Sequence, residues 1–416
     1  MSVTETQITA TTEITTREEL ICYLKEAVEL EMTLMVQYIY AAYSVPNLVT
    51  GKEYVKRGLW SEEQLSFMCG DGEERMDQGA RGLILGIAKE EMIHFLMANN
   101  LLMAIGGTFY VSSPSYSKVS KFYPVGLEMA LEPFSKNSIE RFMHLESPHT
   151  FVTEGKNQPQ PGTDLAYTSV SDLYRKIKNA FIKFPEFISV EKGKTGGEHH
   201  LFLNEKTNTL FPSYQCRVDD VQSAIFAIDL IAEQGEGVPT DDKSLEESHF
   251  NKFRKIKEYL ENHETPLMYP CLKNPSVHGE IGTIKVTNEV AKEAMYIFNE
   301  CFGISMQMMT QHFGLRPTET LRRSYLMNAS IDIMSGVMRY LGIFIMNIES
   351  GIEKYTAGPS FELPKPIIFI TDHDKALAQM SAKFKELHTR AVRLEILPPS
   401  VVELLEYFVE YTRTLE

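Results

Sequence analysis

Side chains that can bind metals lie at the centre of helical stripes that are otherwise apolar, and this feature constrains the fold most strongly. After the capping-box signature of Thr16 and Glu19, a segment without glycine or proline runs to Pro46. Its residues at helical spacing are apolar or aromatic apart from Glu31. A carboxylate in a buried stripe costs free energy unless a cation compensates it. The segment therefore predicts a long helix that carries a functional carboxylate.

A second predicted helix runs from about 79 to 105 and ends at a Gly-Gly pair, which is a strong stop signal. Glu91 and His94 interrupt its apolar stripe, and residues three apart lie on one helical face. Glu90 is turned about a third of a helical turn away but could still compete with Glu91. We expect Glu91 to be the ligand, because it shares the face of His94.

The same pattern returns later in the chain. A third helical segment spans about 218–232, and the best ligand candidate beside it is Glu233, with Asp229 and Glu236 as alternatives. After Ser244, a plausible N-cap, a fourth helix is expected to carry Glu246 and His249 on one stripe. A second Glu-x-x-His pair thus follows a second single glutamate.

This order is the ligand arrangement of four-helix bundles that hold two iron or manganese ions. The six expected metal ligands, which would also carry catalysis, are Glu31, Glu91, His94, Glu233, Glu246 and His249. Carboxylate and imidazole donors suit iron, with manganese as the other option. A further Glu-x-x-His pair, Glu146 and His149, contains Pro148 and is interpreted as a chance match, because proline disrupts a regular helical turn.

The predicted fold is mainly α-helical, a four-helix bundle with one long crossover and an additional C-terminal helical layer. The crossover, about 108–217, is rich in Pro, Gly, Ser and Tyr and is expected to have irregular or mixed structure. We predict a flexible tail at 1–16, the bundle at 17–263 and the C-terminal region at 285–416. Further helices are predicted at about 287–313, 320–349, 373–393 and 399–413.

Composition excludes several classes of partner. With 41 basic and 56 acidic residues, the formal charge of −15 argues against nucleic acid and against an anionic membrane surface. The apolar run from Leu341 to Ile348 is too short to span a bilayer, and no signal peptide is recognisable. Five cysteines without a CxxC pair predict neither a thiolate metal site nor a disulfide framework. We expect a soluble cytoplasmic protein, with a homodimer as one option for its assembly.

Several segments resemble one known family, the ferritin-like domain of the iminophenyl-pyruvate dimer synthases. The resemblance covers about 20–365 and implies a ferritin-like bundle. The segments that carry it are AVELE at 27–31 followed by Tyr38, EEMIH at 90–94 with NLL at 100–102 and Gly106-Gly107, EQGEG at 233–237, SHF at 248–250 and TAGPSFE at 356–362. Members of that family couple two tryptophan-derived imines on the way to bisindole products.

The ligands and the resemblance together predict a non-haem dimetal oxidase or oxygenase, with iron as the expected metal, that uses O₂ to oxidise a small amino-acid- or indole-derived substrate. One alternative is haem-dependent or metal-assisted coupling of tryptophan-derived imines, with His312 as a candidate axial ligand of the haem. A second alternative is an iron-binding or ferroxidase protein without an organic substrate. Candidate substrate contacts are Tyr116, Arg141, His144 and His312.

Overall fold

The structure is a computed structural model. It describes residues 13–70, 77–114, 116, 129–147, 167, 169–190, 218–235, 248–314, 320–363 and 365–415. Helices dominate these residues, which confirms the prediction of a mainly α-helical chain.

The first helix, α1 (Arg17–Ser44), begins at the predicted capping box. The backbone N–H of Glu19 donates to Thr16 Oγ1 at 3.1 Å, and the backbone N–H of Thr16 donates to Glu19 Oε2 at 3.0 Å. These bonds satisfy two of the donors that a helix start leaves unpaired. Two short helices follow, α2 (Leu48–Lys56) and α3 (Glu62–Cys69).

Helix α4 (Gly79–Ala104) packs along α1 and makes the most extensive helix pair in the described chain. It ends where the sequence predicts, since Gly106 adopts a φ of 80° that favours glycine. Most side chains of the central turns of both helices are buried. Glu31 on α1 and Glu91 on α4 therefore point into a shared interface rather than to solvent.

The predicted crossover contains more regular structure than the sequence pattern indicates. Its described residues form helix α5 (Lys136–Leu145), helix α6 (Val170–Lys183) and a 3₁₀ turn (Pro185–Phe187). Both helices begin at a serine, Ser135 or Ser169, whose side chain accepts a backbone N–H of the first turn. These amphipathic segments are short and lie within Pro- and Gly-rich sequence, so hydrophobic periodicity alone does not identify them as helices.

The next two helices are α7 (Val221–Gly235) and α8 (His249–Asn262). Helix α6 packs on α7 and α1, whereas α8 packs on α5 and α4. The N-cap of α8 is Ser248, whose side chain accepts the backbone N–H of Asn251 at 3.3 Å. The described helix thus begins after the predicted position, with His249 as its first residue.

The rest of the chain confirms the predicted C-terminal helices. A parallel pair of two-residue strands, β1 (Pro275–Ser276) and β2 (Ile284–Lys285), comes first. The helices that follow are α9 (Glu289–Gly314), α10 (Thr320–Asp332), a π-helical turn (Ile333–Met338), α11 (Arg339–Ile345), α12 (His373–Arg393) and α13 (Pro399–Leu415).

The early and late helices share one core. Tyr43 at the end of α1 lies very close to Gly342 on α11. A Cβ atom added to Gly342 would stand 2.6 Å from the ring of Tyr43. Phe298 on α9 lines the same contact. None of the helices in the described residues is both long and apolar enough to cross a membrane.

Candidate metal centre

Four of the predicted ligands converge in the core with one residue that the prediction set aside. Glu31, Glu91, His94 and His249 are each at most 1% exposed, and Glu146 is 4% exposed. They form two groups of three donors, within each of which the donor atoms lie within 4.8 Å of one another. We name them position A (Glu31, Glu91, His94) and position B (Glu91, Glu146, His249).

Position A lies between α1 and α4. Nδ1 of His94 stands 3.1 Å from Glu91 Oε2 and 3.7 Å from Glu31 Oε2. Because Glu91 and His94 are three residues apart on a helix, their side chains project from the same face. One nitrogen and two carboxylate oxygens from two helices therefore surround a single point in the core.

Position B lies beside position A. Nδ1 of His249 stands 2.8 Å from Glu91 Oε1 and 3.6 Å from Glu146 Oε2. Glu91 thus belongs to both positions, with one oxygen facing each histidine. The two imidazole rings are 5.6 Å apart between centroids. A carboxylate shared in this way is able to bridge two neighbouring cations.

Two candidate ligand atoms of position B are buried but make no hydrogen bond in the described structure. Glu91 Oε1 and His249 Nδ1 are both buried, and neither makes a hydrogen bond within the described part of the chain. Their separation of 2.8 Å is short enough for one, so the obstacle is the angle. An unpaired buried donor or acceptor costs about 1–3 kcal/mol. A cation held between the two atoms would satisfy both of them.

The other predicted ligands do not join the cluster in the described structure. Glu233 is exposed on α7. Asp229 is also exposed and pairs with Lys178 on the surface, at 2.6 Å between Oδ1 and Nζ. The buried face of α7 is formed by apolar residues that include Ala227, Ile228 and Ile231. Glu236 and Glu246 lie outside the described residues.

Glu146 is the member that the sequence interpretation missed. It follows α5 directly as the C-cap residue, with φ −92° and ψ 10°. The proline at 148 argues against a helical turn through Glu146 and His149, but it says nothing about Glu146 alone. Only the contact of α5 with α8 brings Glu146 near His249, and a one-dimensional pattern cannot contain that contact.

A second layer of polar side chains holds the donors in place. The hydroxyl of Tyr174 on α6 donates to Glu31 Oε1, and that of Tyr38 on α1 donates to Glu146 Oε1. Each phenol occupies the oxygen that is not directed at a histidine. The outer nitrogen of each ring is also held: His94 Nε2 lies 3.0 Å from Gln234 Oε1, and His249 Nε2 lies 2.9 Å from Glu90 Oε2. Such partners fix the tautomer and orientation of a ligating imidazole.

The electrostatics of the cluster favour cations. Burial raises the pKa of Glu31 to about 8, and the charge of Glu91 adds to the rise, although the neighbouring His94, at 3.7 Å, opposes it. Burial alone would lower the pKa of His94, but the charge of Glu91, its hydrogen bond to the ring and the nearby carboxylate of Glu31 raise it to about 10. His249 shows the same balance, and its pKa lies well above the usual range. Protons therefore occupy the donors that a metal ion would use.

Glu91 has the opposite behaviour. Burial would raise its pKa, but the charges of His94 and His249 outweigh burial and hold the pKa well below the usual value. The pKa of Glu146 is raised by burial and by the charge of Glu91. The shared carboxylate thus remains ionised between two cationic neighbours, which is the electrostatic environment that a bridging ligand requires.

The predicted substrate contacts have varied surroundings. Tyr116 is buried, and its hydroxyl makes no hydrogen bond among the described residues. Arg141 donates to Glu132 Oε2 at 2.6 Å and to the carbonyl of Ala130 at 3.0 Å. His144 is exposed, whereas His312 is buried on α9 against Phe313.

Comparison with known proteins places this geometry in context. The profile of the family described as "Ferritin-like" matches residues 24–258. The chain is 42% identical over 421 residues to a dichlorochromopyrrolate synthase of Lentzea aerocolonigenes, with 97% of this chain and 42% of that protein covered. It is 40% identical over 402 residues to a 2-imino-3-(indol-3-yl)propanoate dimerase of Chromobacterium violaceum, with 95% and 39% covered.

The chain thus spans about two fifths of the length of these curated relatives. A solved ferritin-like protein from Caulobacter vibrioides shows 15% identity and a TM-score of 0.47, covering 77% of this chain and 96% of that one.

Proposed function

The chain belongs to the ferritin-like family, and on this basis we propose that it is a metal-dependent enzyme that couples two tryptophan-derived imines. The observation that supports this most strongly is the buried pair of carboxylate–histidine positions that share Glu91. The relatives named above are a synthase and an imine dimerase, and these names favour coupling over a general oxidase or oxygenase.

The donor set fits two first-row metal ions. Glu31 and His94 would hold one ion, Glu146 and His249 the other, and Glu91 would bridge them. Two irons, or two manganese ions, would supply one-electron redox chemistry in a site with oxygen and nitrogen ligands. In this assignment Glu146 takes a place that the sequence had given to Glu233.

The protein's own groups prepare the site. Tyr174 and Tyr38 each bind one oxygen of a terminal carboxylate and leave its other oxygen directed at the metal position. Burial of all five donors excludes bulk water and strengthens their electrostatic interactions. Because the ring nitrogens facing the carboxylates would bind metal, the outer nitrogens carry the protons and donate to Gln234 and Glu90.

The proposed reaction has a simple balance. An imine of this type can tautomerise to an enamine, whose β-carbon is electron-rich. Joining two such β-carbons forms one C–C bond and breaks one C–H bond on each partner, which releases two electrons and two protons. We assign O₂ as the acceptor, so that hydrogen peroxide leaves as the second product.

The test supplies the imine continuously with an L-amino-acid oxidase acting on L-tryptophan and measures the coupled product by mass spectrometry. Iron- or manganese-loaded protein is expected to form the dimer well above the protein-free rate, and Glu91→Ala is expected to reduce this to background. Glu406→Ala, which removes an exposed carboxylate from α13, serves as the matched control and should keep full activity. Equal product from Glu91→Ala and wild type would contradict the proposal.

A further inference from the structure

The two metal positions differ in the partner of each histidine's outer nitrogen. His94 faces a neutral amide, since its Nε2 lies 3.0 Å from Gln234 Oε1. His249 faces a carboxylate, since its Nε2 lies 2.9 Å from Glu90 Oε2. The same oxygen of Glu90 also accepts a bond of 2.7 Å from Lys252 Nζ.

The remaining partners of the two positions are closely matched. Each terminal carboxylate, Glu31 or Glu146, accepts a phenol hydrogen bond from Tyr174 or Tyr38. Both positions share Glu91, and all five donors are buried. The outer partner of the imidazole is therefore the clearest chemical difference between positions A and B.

A carboxylate that accepts the outer N–H of an imidazole makes the ring a stronger electron donor than an amide does. It also places an additional negative charge near the cation. Lys252 offsets part of the charge of Glu90, but Glu90 remains directly hydrogen-bonded to the ring of His249. The net effect favours a cation at position B.

We propose that the two metal positions are inequivalent and that position B binds its ion first, because Glu90 holds the outer nitrogen of His249. This inference rests on the proposed dimetal site. It makes Glu90 a positioning residue that acts through His249 and sets the order in which the site fills.

The experiment is an anaerobic titration of the metal-free protein with cobalt(II), followed by visible absorption and by calorimetry. Wild type is expected to show two phases whose dissociation constants differ at least about tenfold, which is the low end of the usual effect of such outer partners. Glu90→Gln keeps an acceptor oxygen for His249 but removes the charge. It is expected to weaken the tighter phase by about 10- to 100-fold and leave the weaker phase unchanged.

A reciprocal variant and a matched control complete the design. Gln234→Glu gives His94 a carboxylate partner and is expected to strengthen the weaker phase, so it tests the proposal even if Glu90→Gln folds poorly. Glu140→Gln removes a carboxylate that is likewise paired with a lysine, at 3.4 Å from Lys257 Nζ, but is not bonded to either histidine. It should reproduce the wild-type titration.

The outcomes separate this inference from the proposed function. If wild type binds no cobalt, iron or manganese, the dimetal site itself is wrong. Two equal phases in wild type, or an unchanged tighter phase in Glu90→Gln, would overturn the order of filling while leaving the dimetal site intact. A Glu90→Gln protein that loses only the weaker phase would reverse the assignment and overturn it as well.

Discussion

Glu91 is the residue on which both candidate positions depend, because its two oxygens face different histidines. Oε1 stands 2.8 Å from His249 Nδ1, and Oε2 stands 3.1 Å from His94 Nδ1. No single substitution elsewhere in the cluster removes a donor from both positions. Its neighbour Glu90, also acidic, instead contacts the outer nitrogen of His249. The one-residue difference in helical phase decides which carboxylate is a ligand and which supports one.

Glu26 on α1 is a second buried carboxylate, and it lies outside the cluster. It is 7% exposed, and its Oε2 makes no hydrogen bond among the described residues. Burial, with a contribution from the charge of Glu29, raises its pKa to about 8. Since the unfolded value is near 4.5, the folded protein retains a proton here that the unfolded chain loses as the pH rises. Ionisation at this site therefore reduces stability progressively between these two values.

We predict that Glu26→Gln stabilises the protein at high pH, because glutamine has no proton to lose. The variant and wild type should have similar free energies of unfolding at about pH 5, and the variant should be more stable by over about 1 kcal/mol at pH 8. Urea unfolding at several pH values measures this difference. Glu18→Gln, on the exposed face of the same helix, is the control and should show no such trend. A pH-independent difference for Glu26→Gln would contradict the interpretation.

At the scale of elements, helix ends that depend on local chemistry were predictable. The capping box at Thr16 and the Gly-Gly stop after α4 are encoded within a few residues, and both lie where the sequence indicates. The start of α8 and the helices α5 and α6 were not predicted. Helices α5 and α8 pack on each other, and α6 packs on α7 and α1, and no local pattern reports such contacts.

The same distinction explains the site. Glu31, Glu91 and His94 lie on two long amphipathic helices, where an ionisable side chain on an apolar stripe is an unambiguous signal. Glu146 follows a short helix in an irregular region and resembles any surface glutamate in sequence. Glu233 was chosen by analogy with the ligand order of dimetal bundles, and the phase of α7 instead places it toward solvent.

Close helix contacts give a direct test of packing. A Cβ at Gly342 on α11 would lie 2.6 Å from Tyr43 Cε2 and 3.3 Å from Phe298 Cε2, both on buried rings. Gly342→Ala is therefore expected to lower the free energy of unfolding by about 1–3 kcal/mol, as overpacking does. Gly336→Ala in the preceding π-helical turn is the control, because its Cβ would meet Leu404 at an ordinary 3.6 Å. Chemical denaturation of both variants measures the effect, and an equal response would show that the contact tolerates a methyl group.

For the whole molecule, the early and late helices share an apolar core, and the early helices also enclose a set of ionisable groups. Burying five carboxylate and imidazole side chains in this core costs a large desolvation free energy unless other charges compensate them. Protons reduce that cost in the metal-free protein, as the raised pKa values of His94, His249 and Glu31 indicate. Two divalent ions would displace those protons and stabilise the folded chain. The cluster thus links the stability of the fold to the proposed chemistry.

Metal content measured by elemental analysis, after anaerobic reconstitution with ferrous iron or manganese and removal of the excess, tests the central claim most directly. Wild type and Glu406→Ala are expected to retain about two ions per chain. Glu91→Ala is expected to retain less than one, because both positions lose a shared ligand. Wild-type protein that retains no metal, or a Glu91→Ala variant that still holds two ions, would contradict a dimetal centre bridged by Glu91.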